Sequence, residues 1–210
     1  MKIQLENVTP AGIENRSMEI ISQELRSRGI ILDQKKAPVI KRAIHASADF
    51  DYAENLYFSD NVIPHTLNLL RNGTSIVTDT KMALSGINKK ILLEYGIGIY
   101  NFIDDKDVAT AAKKNNTTRS AACIDKAVSL RKPFIFVIGN APTALIRIYE
   151  LYSEGLLKPE LIIGVPVGFV NVVQAKELII QTGLPCIIAR GRKGGSNIAA
   201  AICNALLYML

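Results

Sequence analysis

The sequence predicts a three-layer α/β/α fold around a mainly parallel sheet of roughly five strands, preceded by an N-terminal helical segment. Five short apolar runs alternate with segments of helical apolar spacing, a pattern typical of βαβ units with right-handed crossovers. The runs are Ser75–Thr78, Ile97–Tyr100, Phe134–Ile138, Leu161–Val165 and Cys186–Ala189. The length of 210 residues fits one domain, which we expect to span residues 1–210.

The first third of the chain predicts helices that lead into the sheet and no central strand. Thr9-Pro10 supplies a capping residue and a first-turn proline for a helix that Gly29 ends. A second helical segment runs from Pro38 to about Asp51, and a third runs from about Asn61 to Arg71. The sheet is therefore expected to begin only after these helices.

The last predicted helix is unusually apolar. Between Ile198 and Leu210, Asn204 is the only clearly polar residue. A helix that is apolar all round is normally buried on more than one side. Either the domain wraps this helix completely, or a second subunit covers it.

Composition predicts a compact globular protein of the cytoplasm. Hydrophobic residues make up 49% and charged residues 21% of the chain, a balance that disordered chains lack. No apolar run approaches the ~20 residues that cross a bilayer, and Met1-Lys2-Ile3-Gln4 is too polar to open a signal peptide. Cys123, Cys186 and Cys203 lack CxxC spacing, so we expect small buried hydrophobes without a disulfide or a metal.

The charge distribution favours a small anionic ligand over nucleic acid. The formal net charge is +6, which attracts anionic partners in general. The densest basic cluster, Arg190, Arg192 and Lys193, lies inside a glycine turn. Nucleic-acid surfaces instead show basic stripes interleaved with exposed aromatic residues. We therefore expect a polyanion held in a crevice, with no nucleic-acid or membrane partner.

Most of the unusual residue clusters lie in turns directly after predicted strands. The carboxyl ends of the strands in an open parallel sheet form the crevice where ligands bind, so we expect these turns to converge on one site. The turns are Asp79-Thr80-Lys81, Asn101, Gly139–Thr143, Pro166–Phe169 and Arg190–Ser196.

Two of these turns are candidates for an anion site built from backbone donors. Gly191–Ser196 combines glycines, two cations and a helix start, and a flexible solvated turn is its alternative. Gly139–Thr143 exposes backbone donors at a helix start, and an ordinary turn with Pro142 near the first helical position is its alternative. Neither contains the Gly-Lys-Ser/Thr of a phosphate loop, so a nucleotide-binding protein has little support.

Three side chains outside the densest turns are candidates for chemistry. His45 lies among small residues on a predicted helix, and an imidazole can transfer a proton near neutral pH, although a lone helical histidine is most often structural. Arg119 and Ser120 stand at another helix start, where they either meet a carboxylate or are solvated behind a capping threonine. His65, the only other histidine, is expected to be an exposed helical residue.

Six short strings occur in order along nearly the whole chain: Ile44–Ala46, Asp79–Met82, Thr118–Ala122, Ile138–Leu145, Gly164–Val170 and Gly191–Ser196. Together they resemble the precorrin-8X methylmutase family, including its cobalt-precorrin-8 forms. The resemblance implies an isomerase of cobalamin (vitamin B12) biosynthesis that moves a methyl group from carbon 11 to carbon 12 of (cobalt-)precorrin-8. The product is hydrogenobyrinic acid or cobyrinic acid. The alternative is a non-catalytic corrinoid carrier that sequesters this product.

The resemblance also implies roles for individual residues. His45 would be the general acid that acts on a ring nitrogen of the tetrapyrrole, while basic side chains and backbone turns would clamp its carboxylates. Ser17 is followed by Met18, where the family commonly has an aromatic residue. The substrate-binding positions implied are Ser17, Asp79, Thr80, Lys81, Arg119, Ser120, Gly139, Asn140, Pro166, Val167, Gly168, Arg192, Lys193, Gly194 and Gly195.

The same resemblance implies the partners and the cofactors. An internal migration needs neither a redox cofactor nor an external methyl donor, and any cobalt belongs to the substrate rather than to a protein metal site. The family is homodimeric with sites at the subunit interface, so a homodimer is expected here. Hand-over of the tetrapyrrole to neighbouring pathway enzymes is a further expectation.

Overall fold

A six-stranded sheet forms the centre of the protein, for which a computed structural model describes residues 5–210. The strands are β1 (Leu56–Phe58), β2 (Ser75–Thr78), β3 (Ile99–Tyr100), β4 (Phe134–Ile138), β5 (Leu161–Gly164) and β6 (Cys186–Ala189). Their order across the sheet is β1-β6-β5-β4-β2-β3. All neighbours from β6 to β3 are parallel, which confirms the predicted class and its five strands.

The sixth strand corrects the expected strand count. β1 pairs antiparallel with β6, with Leu56 opposite Ala189 and Phe58 opposite Ile187. Its three residues are too few to show the alternation that identifies a strand in a sequence. It lies at the sheet edge, so the first third of the chain contributes one edge strand in addition to its helices.

Eleven α-helices within the described residues cover the sheet. They are α1 (Ile13–Ser27), α2 (Ala37–Ser47), α3 (Tyr52–Asn55), α4 (Val62–Arg71), α5 (Lys81–Gly86), α6 (Lys89–Glu94), α7 (Lys106–Lys114), α8 (Arg119–Ser129), α9 (Pro142–Ser153), α10 (Val172–Gln181) and α11 (Ser196–Leu207). α2 ends earlier than the predicted Asp51, because Ala48 adopts a left-handed conformation with φ 56°. A 3₁₀ turn, Pro10–Gly12, precedes α1.

Alternate residues of the central strands pack on opposite faces of the sheet, as strand geometry requires. Ile135, Val137 and Ile163 belong to the core shared with α2, α4 and α11. Phe136 and Ile162 belong to the core on the other face, which α7, α8, α9 and α10 cover. Helices on both faces explain why the strands read as continuous apolar runs, and they confirm the three layers.

The chain's own helices bury α11. Nine of its twelve residues are buried, and α2, α4 and α5 pack against it together with the sheet. Its polar residue is satisfied inside this packing, because Asn204 accepts from the Asn88 amide at 2.8 Å and donates to the Gly86 carbonyl at 2.9 Å. Of the two arrangements that the sequence left open, the structure has the wrapped helix. The apolar character of α11 is therefore no argument for a second subunit.

The cysteines are buried, as the sequence predicts. Cys123, Cys186 and Cys203 all carry free thiols inside the two cores. Burial raises the pKa of the Cys203 thiol to about 12, so this group stays protonated at neutral pH. No helix within residues 5–210 is both long and apolar enough to cross a bilayer. The polar stretch Met1–Gln4, from which we expect no signal peptide, lies outside the described residues.

Candidate active site

The turns after β2, β4 and β6 meet at the carboxyl edge of the sheet, as predicted. The hydroxyl oxygens of Thr80 and Ser196 lie 2.8 Å apart and join the first of these turns to the start of α11. Gly139 also lies against the start of α11, because a Cβ at position 139 would come within 2.8 Å of the Ser196 Cα. Only glycine allows this approach. The three turns thus form one continuous surface.

Asp79 holds the turn after β4 from inside. Its buried carboxylate accepts hydrogen bonds from the amides of Gly139, Asn140 and Ala141, each at 2.8 Å. Burial raises the pKa of this carboxyl, while the three amide donors act in the opposite direction. Because these donors already serve Asp79, the turn is internally satisfied, and the Gly139, Asn140 and Ala141 amides are not free to bind an anion.

The turn after β6, Gly191–Gly195, is held differently, through its carbonyl groups. The buried Lys176 ammonium on α10 donates to the carbonyls of Gly191 at 2.8 Å and Lys193 at 2.9 Å. The Arg192 carbonyl accepts from the Gly168 amide at 3.1 Å. Within residues 5–210, the amides of Arg192, Lys193 and Gly194 donate no hydrogen bond. This turn is therefore a braced structure with free backbone donors, rather than a flexible one.

The same turn also packs closely against the turn after β5. The Gly195 amide donates to the Val165 carbonyl at 2.8 Å. A Cβ at Gly194, where φ is 156°, would lie 2.1 Å from the Val165 oxygen. Gly194 is thus required by the close approach of the Val165 backbone, and Gly195 is favoured by its φ of 133°. These are structural reasons for the glycines that the resemblance places in the substrate site.

The predicted basic cluster separates into one free and two paired cations. Lys193 pairs with Asp49 at 2.6 Å and Asp51 at 2.5 Å, and these carboxylates raise its pKa. Arg190 pairs with Glu177 at 3.3 Å. Arg192 is exposed and has no carboxylate partner within residues 5–210, and its guanidinium lies 5.7 Å from the centre of the Phe169 ring. Arg192 is the member of the cluster that is available to a ligand.

His45 lies exposed on α2 at the edge of an open groove of about 240 Å³. The groove is lined mainly by apolar side chains, and Ser17 of α1 lies in it as well: Ser17, Ile20, Ile21, Glu24, Ile44, His45, Ala48 and Phe50. The Ser17 hydroxyl donates to the Ile13 carbonyl at 2.9 Å, which leaves its oxygen free to accept a further bond. The structure thus brings His45 and Ser17 together.

Two contacts join the His45 region to the turn after β6 and to the start of α11, which follows that turn. The Asn197 amide group approaches the Ala46 carbonyl at 3.4 Å, and Lys193 bridges to Asp49 just beyond α2.

His65, in contrast, is half-buried and not exposed as expected: its Nε2 lies 2.9 Å from the Glu160 carbonyl oxygen. His65 therefore has a structural partner, whereas no hydrogen bond within the described residues uses the His45 ring.

Arg119 and Ser120 begin α8, at the same edge of the sheet. Thr118 caps this helix by accepting from the Ala121 amide at 3.2 Å, and its hydroxyl lies 2.8 Å from that of Thr143 on α9. Arg119 is exposed and forms no ion pair within residues 5–210. Lys81, another implied binding residue, is occupied by Asp104. Arg119 and Arg192 are therefore the free cations among the implied binding residues.

Apolar side chains project from the turn after β5. Phe169 is 82% and Val170 79% exposed, and Val167 is also exposed, while Pro166 is buried beneath them. Gly168 adopts φ 148°, a conformation that favours glycine. Exposed aromatic and aliphatic groups beside a free arginine suit a ligand with an apolar face and an acidic rim. No group of three or more His, Cys, Asp or Glu residues in the described chain could hold a metal ion.

Lys176 is the residue of this region that sequence reasoning missed. The buried residues of α10 are Val172, Ala175, Lys176 and Ile179, the i, i+3, i+4, i+7 spacing of one helix face. A lysine at a buried position of that pattern is unusual, because an ammonium group is costly to bury without hydrogen bonds. A lysine at a buried position of this spacing was the signal in the sequence that could have identified Lys176.

Known proteins similar to this chain agree on one family. The family model described as precorrin-8X methylmutase matches residues 12–209. The chain is 44% identical to cobalt-precorrin-8 methylmutase of Leptospira interrogans, over 94% of this chain and 92% of that protein. It is 43% identical to cobalt-precorrin-8 methylmutase of Salmonella typhimurium, over 96% of each.

The solved structures give the same result. Precorrin-8x methyl mutase from Thermus thermophilus superimposes with a TM-score of 0.85 at 32% identity, covering 94% of this chain and 96% of that one. The sequence match extends over nearly all of the chain, and the fold agrees with it. The chain therefore belongs to the precorrin-8X methylmutase family.

Proposed function

We propose that this protein moves a methyl group from carbon 11 to carbon 12 of a precorrin-8 macrocycle, giving cobyrinic acid or its metal-free counterpart. Membership of the family makes the chain an isomerase of cobalamin biosynthesis. The observation that carries the proposal is the match to methylmutases over residues 12–209. The geometry supplies what such a reaction needs: an exposed histidine in an apolar groove, joined to a turn with a free arginine.

His45 is the proton donor in this proposal. Protonation of a ring nitrogen draws electron density from the macrocycle and so assists the methyl shift. The bond from the methyl group to carbon 11 breaks as the bond to carbon 12 forms. The ring nitrogen then returns its proton to His45, so substrate and product are isomers. No external methyl donor, redox cofactor or protein-bound metal enters this balance. The apolar walls of the groove offer a surface against which the macrocycle can pack.

The acidic rim of the substrate is held by Arg119 and Arg192. Both are exposed and neither has a carboxylate partner within residues 5–210. The unused amides of Arg192, Lys193 and Gly194 add donors of the kind that bind carboxylates. Lys193 contributes less, since Asp49 and Asp51 already neutralise it.

We propose that the natural substrate carries cobalt. The two relatives at 44% and 43% identity are both named for the cobalt form, whereas the Thermus protein at 32% is named for precorrin-8x. Incubation with cobalt-loaded and metal-free substrate side by side tests this. Faster turnover of the cobalt form supports the assignment, and a preference for the metal-free form overturns it.

We also propose a cytoplasmic homodimer whose interface completes each site. Because α11 is covered within the chain, the support comes from the turn after β5, where Phe169 and Val170 expose apolar surface at the edge of the crevice. An apolar patch at the edge of a crevice commonly marks a protein interface or a ligand-binding groove. Light scattering after size exclusion tests the proposal: a dimer supports it, and a fully active monomer at assay concentration contradicts it.

Conversion of authentic substrate, followed by absorbance, tests the reaction itself. We expect His45→Ala to lose roughly 10²–10⁴-fold in turnover while keeping product affinity, the range for a positioned general acid. His65→Ala is the matched control. It removes the second histidine of the chain, which lies outside the groove, and should leave turnover per folded molecule near wild type. A His45→Ala variant within about threefold of wild type would overturn the catalytic assignment.

A further inference from the structure

Lys176 has an unusual environment for a lysine. Its side chain has no exposed surface, and its Nζ donates to the Gly191 and Lys193 carbonyls. Within residues 5–210 no carboxylate lies within salt-bridge distance of this nitrogen. Burial lowers its pKa to about 8. Burying such a group costs free energy, and the presence of Lys176 at this position therefore needs an explanation.

The position of those two bonds supplies the reason. The Gly191 and Lys193 carbonyls stand on either side of Arg192, the free cation of the basic cluster. Gly191 and Gly194 have φ values of 75° and 156°. Glycines in such conformations lose the most conformational freedom on folding, so a turn built from them needs external contacts to remain in one shape.

We propose that Lys176 is a positioning residue of the substrate site. It fixes the Gly191–Arg192 and Lys193–Gly194 peptide groups, and so holds the free Arg192 and Gly194 amides and the Arg192 guanidinium ready for one carboxylate group of the substrate. The inference rests on the proposed function, because it takes a polycarboxylate as the ligand. Lys176 itself does not touch the substrate, since its side chain is buried beneath the turn.

A purely structural role predicts something different. A lysine that only supports the fold would, when removed, lower stability and weaken binding by the same factor whether or not Arg192 is present. A positioning residue acts through Arg192, so its removal should matter much less once Arg192 is gone. A double-mutant cycle measures this difference.

The experiment titrates cobyrinic acid into wild type, Lys176→Met, Arg192→Ala and the double variant. Lys176→Arg restores a charged donor, and Lys158→Met makes the same change as Lys176→Met at an exposed lysine on the opposite edge of the sheet. Turnover of authentic substrate by the same proteins separates KM from kcat. Circular dichroism confirms that each variant folds. If Lys176→Met does not fold, Lys176→Gln replaces it in the cycle, because glutamine keeps a polar group at the buried position.

We expect Lys176→Met to weaken binding about tenfold and raise KM with little change in kcat, because misplacing a binding group costs affinity of this order. Lys176→Arg should recover part of the loss, and Lys158→Met should have no effect. In the Arg192→Ala background the Lys176→Met loss should fall below about threefold. Equal losses in both backgrounds, or none in either, overturn the inference.

The outcomes also separate this inference from the proposed function. If wild type binds cobyrinic acid and Arg192→Ala weakens it while Lys176→Met does not, the positioning role alone is wrong. If wild type neither binds cobyrinic acid nor converts the substrate, the proposed function is wrong and the positioning role falls with it.

Discussion

The turns after β4 and β6 are two solutions to the same problem of holding a strand-to-helix turn beside a ligand crevice. In Gly139–Ala141 a buried acid, Asp79, accepts three backbone amides. In Gly191–Lys193 a buried base, Lys176, donates to two backbone carbonyls. The first brace uses up the turn's donors, whereas the second leaves them free. The charge of the buried residue therefore decides which turn keeps free backbone donors.

This comparison explains why two glycine-bearing turns that look alike in the sequence have different uses. The turn after β4 supports its neighbours: Gly139 allows α11 to approach, and Thr143 contacts Thr118 at the start of α8. The turn after β6 presents Arg192 beside the exposed Phe169 ring. One turn is part of the frame, and the other is the proposed binding surface.

The largest expected effect is on the frame. Asp79→Asn replaces one acceptor oxygen with an amide, which leaves buried backbone donors without a partner. We expect a loss of roughly 1–6 kcal/mol in the free energy of unfolding, from one or two unsatisfied amides at about 1–3 kcal/mol each. Urea denaturation measures it. Asp104→Asn, at an exposed ion pair with Lys81, is the matched control and should cost less than about 1 kcal/mol. Equal losses of stability in the two variants would show that the hydrogen bonds of Asp79 do not stabilise the turn.

The second effect concerns pH and the buried base. The pKa of Lys176 falls to about 8 in the folded protein from an ordinary 10.5, so between these values the unfolded chain binds more protons. The free energy of unfolding of wild type, relative to Lys176→Met, should therefore rise by about 2–3 kcal/mol from pH 8 to 10.5. Denaturant titrations of both proteins across this range measure the difference. If the stability difference between the two proteins stays constant over this range, folding does not lower the pKa of Lys176.

The third effect is on the binding surface. Arg192→Ala and Arg119→Ala should each weaken cobyrinic acid binding by roughly 1.5–3 kcal/mol, the range for a hydrogen bond that involves a charged group. Each should also reduce the effect of salt on affinity, because one exposed cation is lost. Titrations at low and high ionic strength give both quantities. Unchanged affinity and salt dependence in both variants would make these arginines merely solvated.

The smallest effect distinguishes the paired cation from the free one. Lys193→Ala should weaken binding less than Arg192→Ala does, because Asp49 and Asp51 already neutralise this exposed lysine. The same titration compares it with Arg192→Ala. A Lys193→Ala loss as large as that of Arg192→Ala would show that Lys193 leaves its partners when the substrate binds.

Much of the fold was predictable because the strands are buried on both faces. Runs such as Phe134–Ile138 are apolar throughout, and the helices between them end at recognisable residues. β1 was missed because three residues, Leu56–Phe58, carry no detectable period. The cover of α11 was undecided because an apolar helix looks the same in a sequence whether its own chain or another packs on it.

The candidate site was predictable in its location but not in its internal bonding. Strand ends locate a crevice in any parallel sheet, and this placed Thr80, Gly139 and Ser196 together. Asp79 looks like an ordinary polar turn residue in the sequence, and its burial depends on a partner 60 positions away. The pairing of Lys193 with Asp49 likewise joins distant segments. Such pairings follow from tertiary contacts, which local sequence patterns do not carry.

Hydrogen–deuterium exchange, read residue by residue by NMR with and without saturating cobyrinic acid, tests most directly the claim that the two braces divide frame from binding surface. The amides of Gly139, Asn140 and Ala141 should exchange slowly in the free protein and change little on binding. The amides of Arg192, Lys193 and Gly194 should exchange fast when free and slow by roughly tenfold or more when bound. New protection at Gly139–Ala141 with none at Arg192–Gly194 would contradict the account.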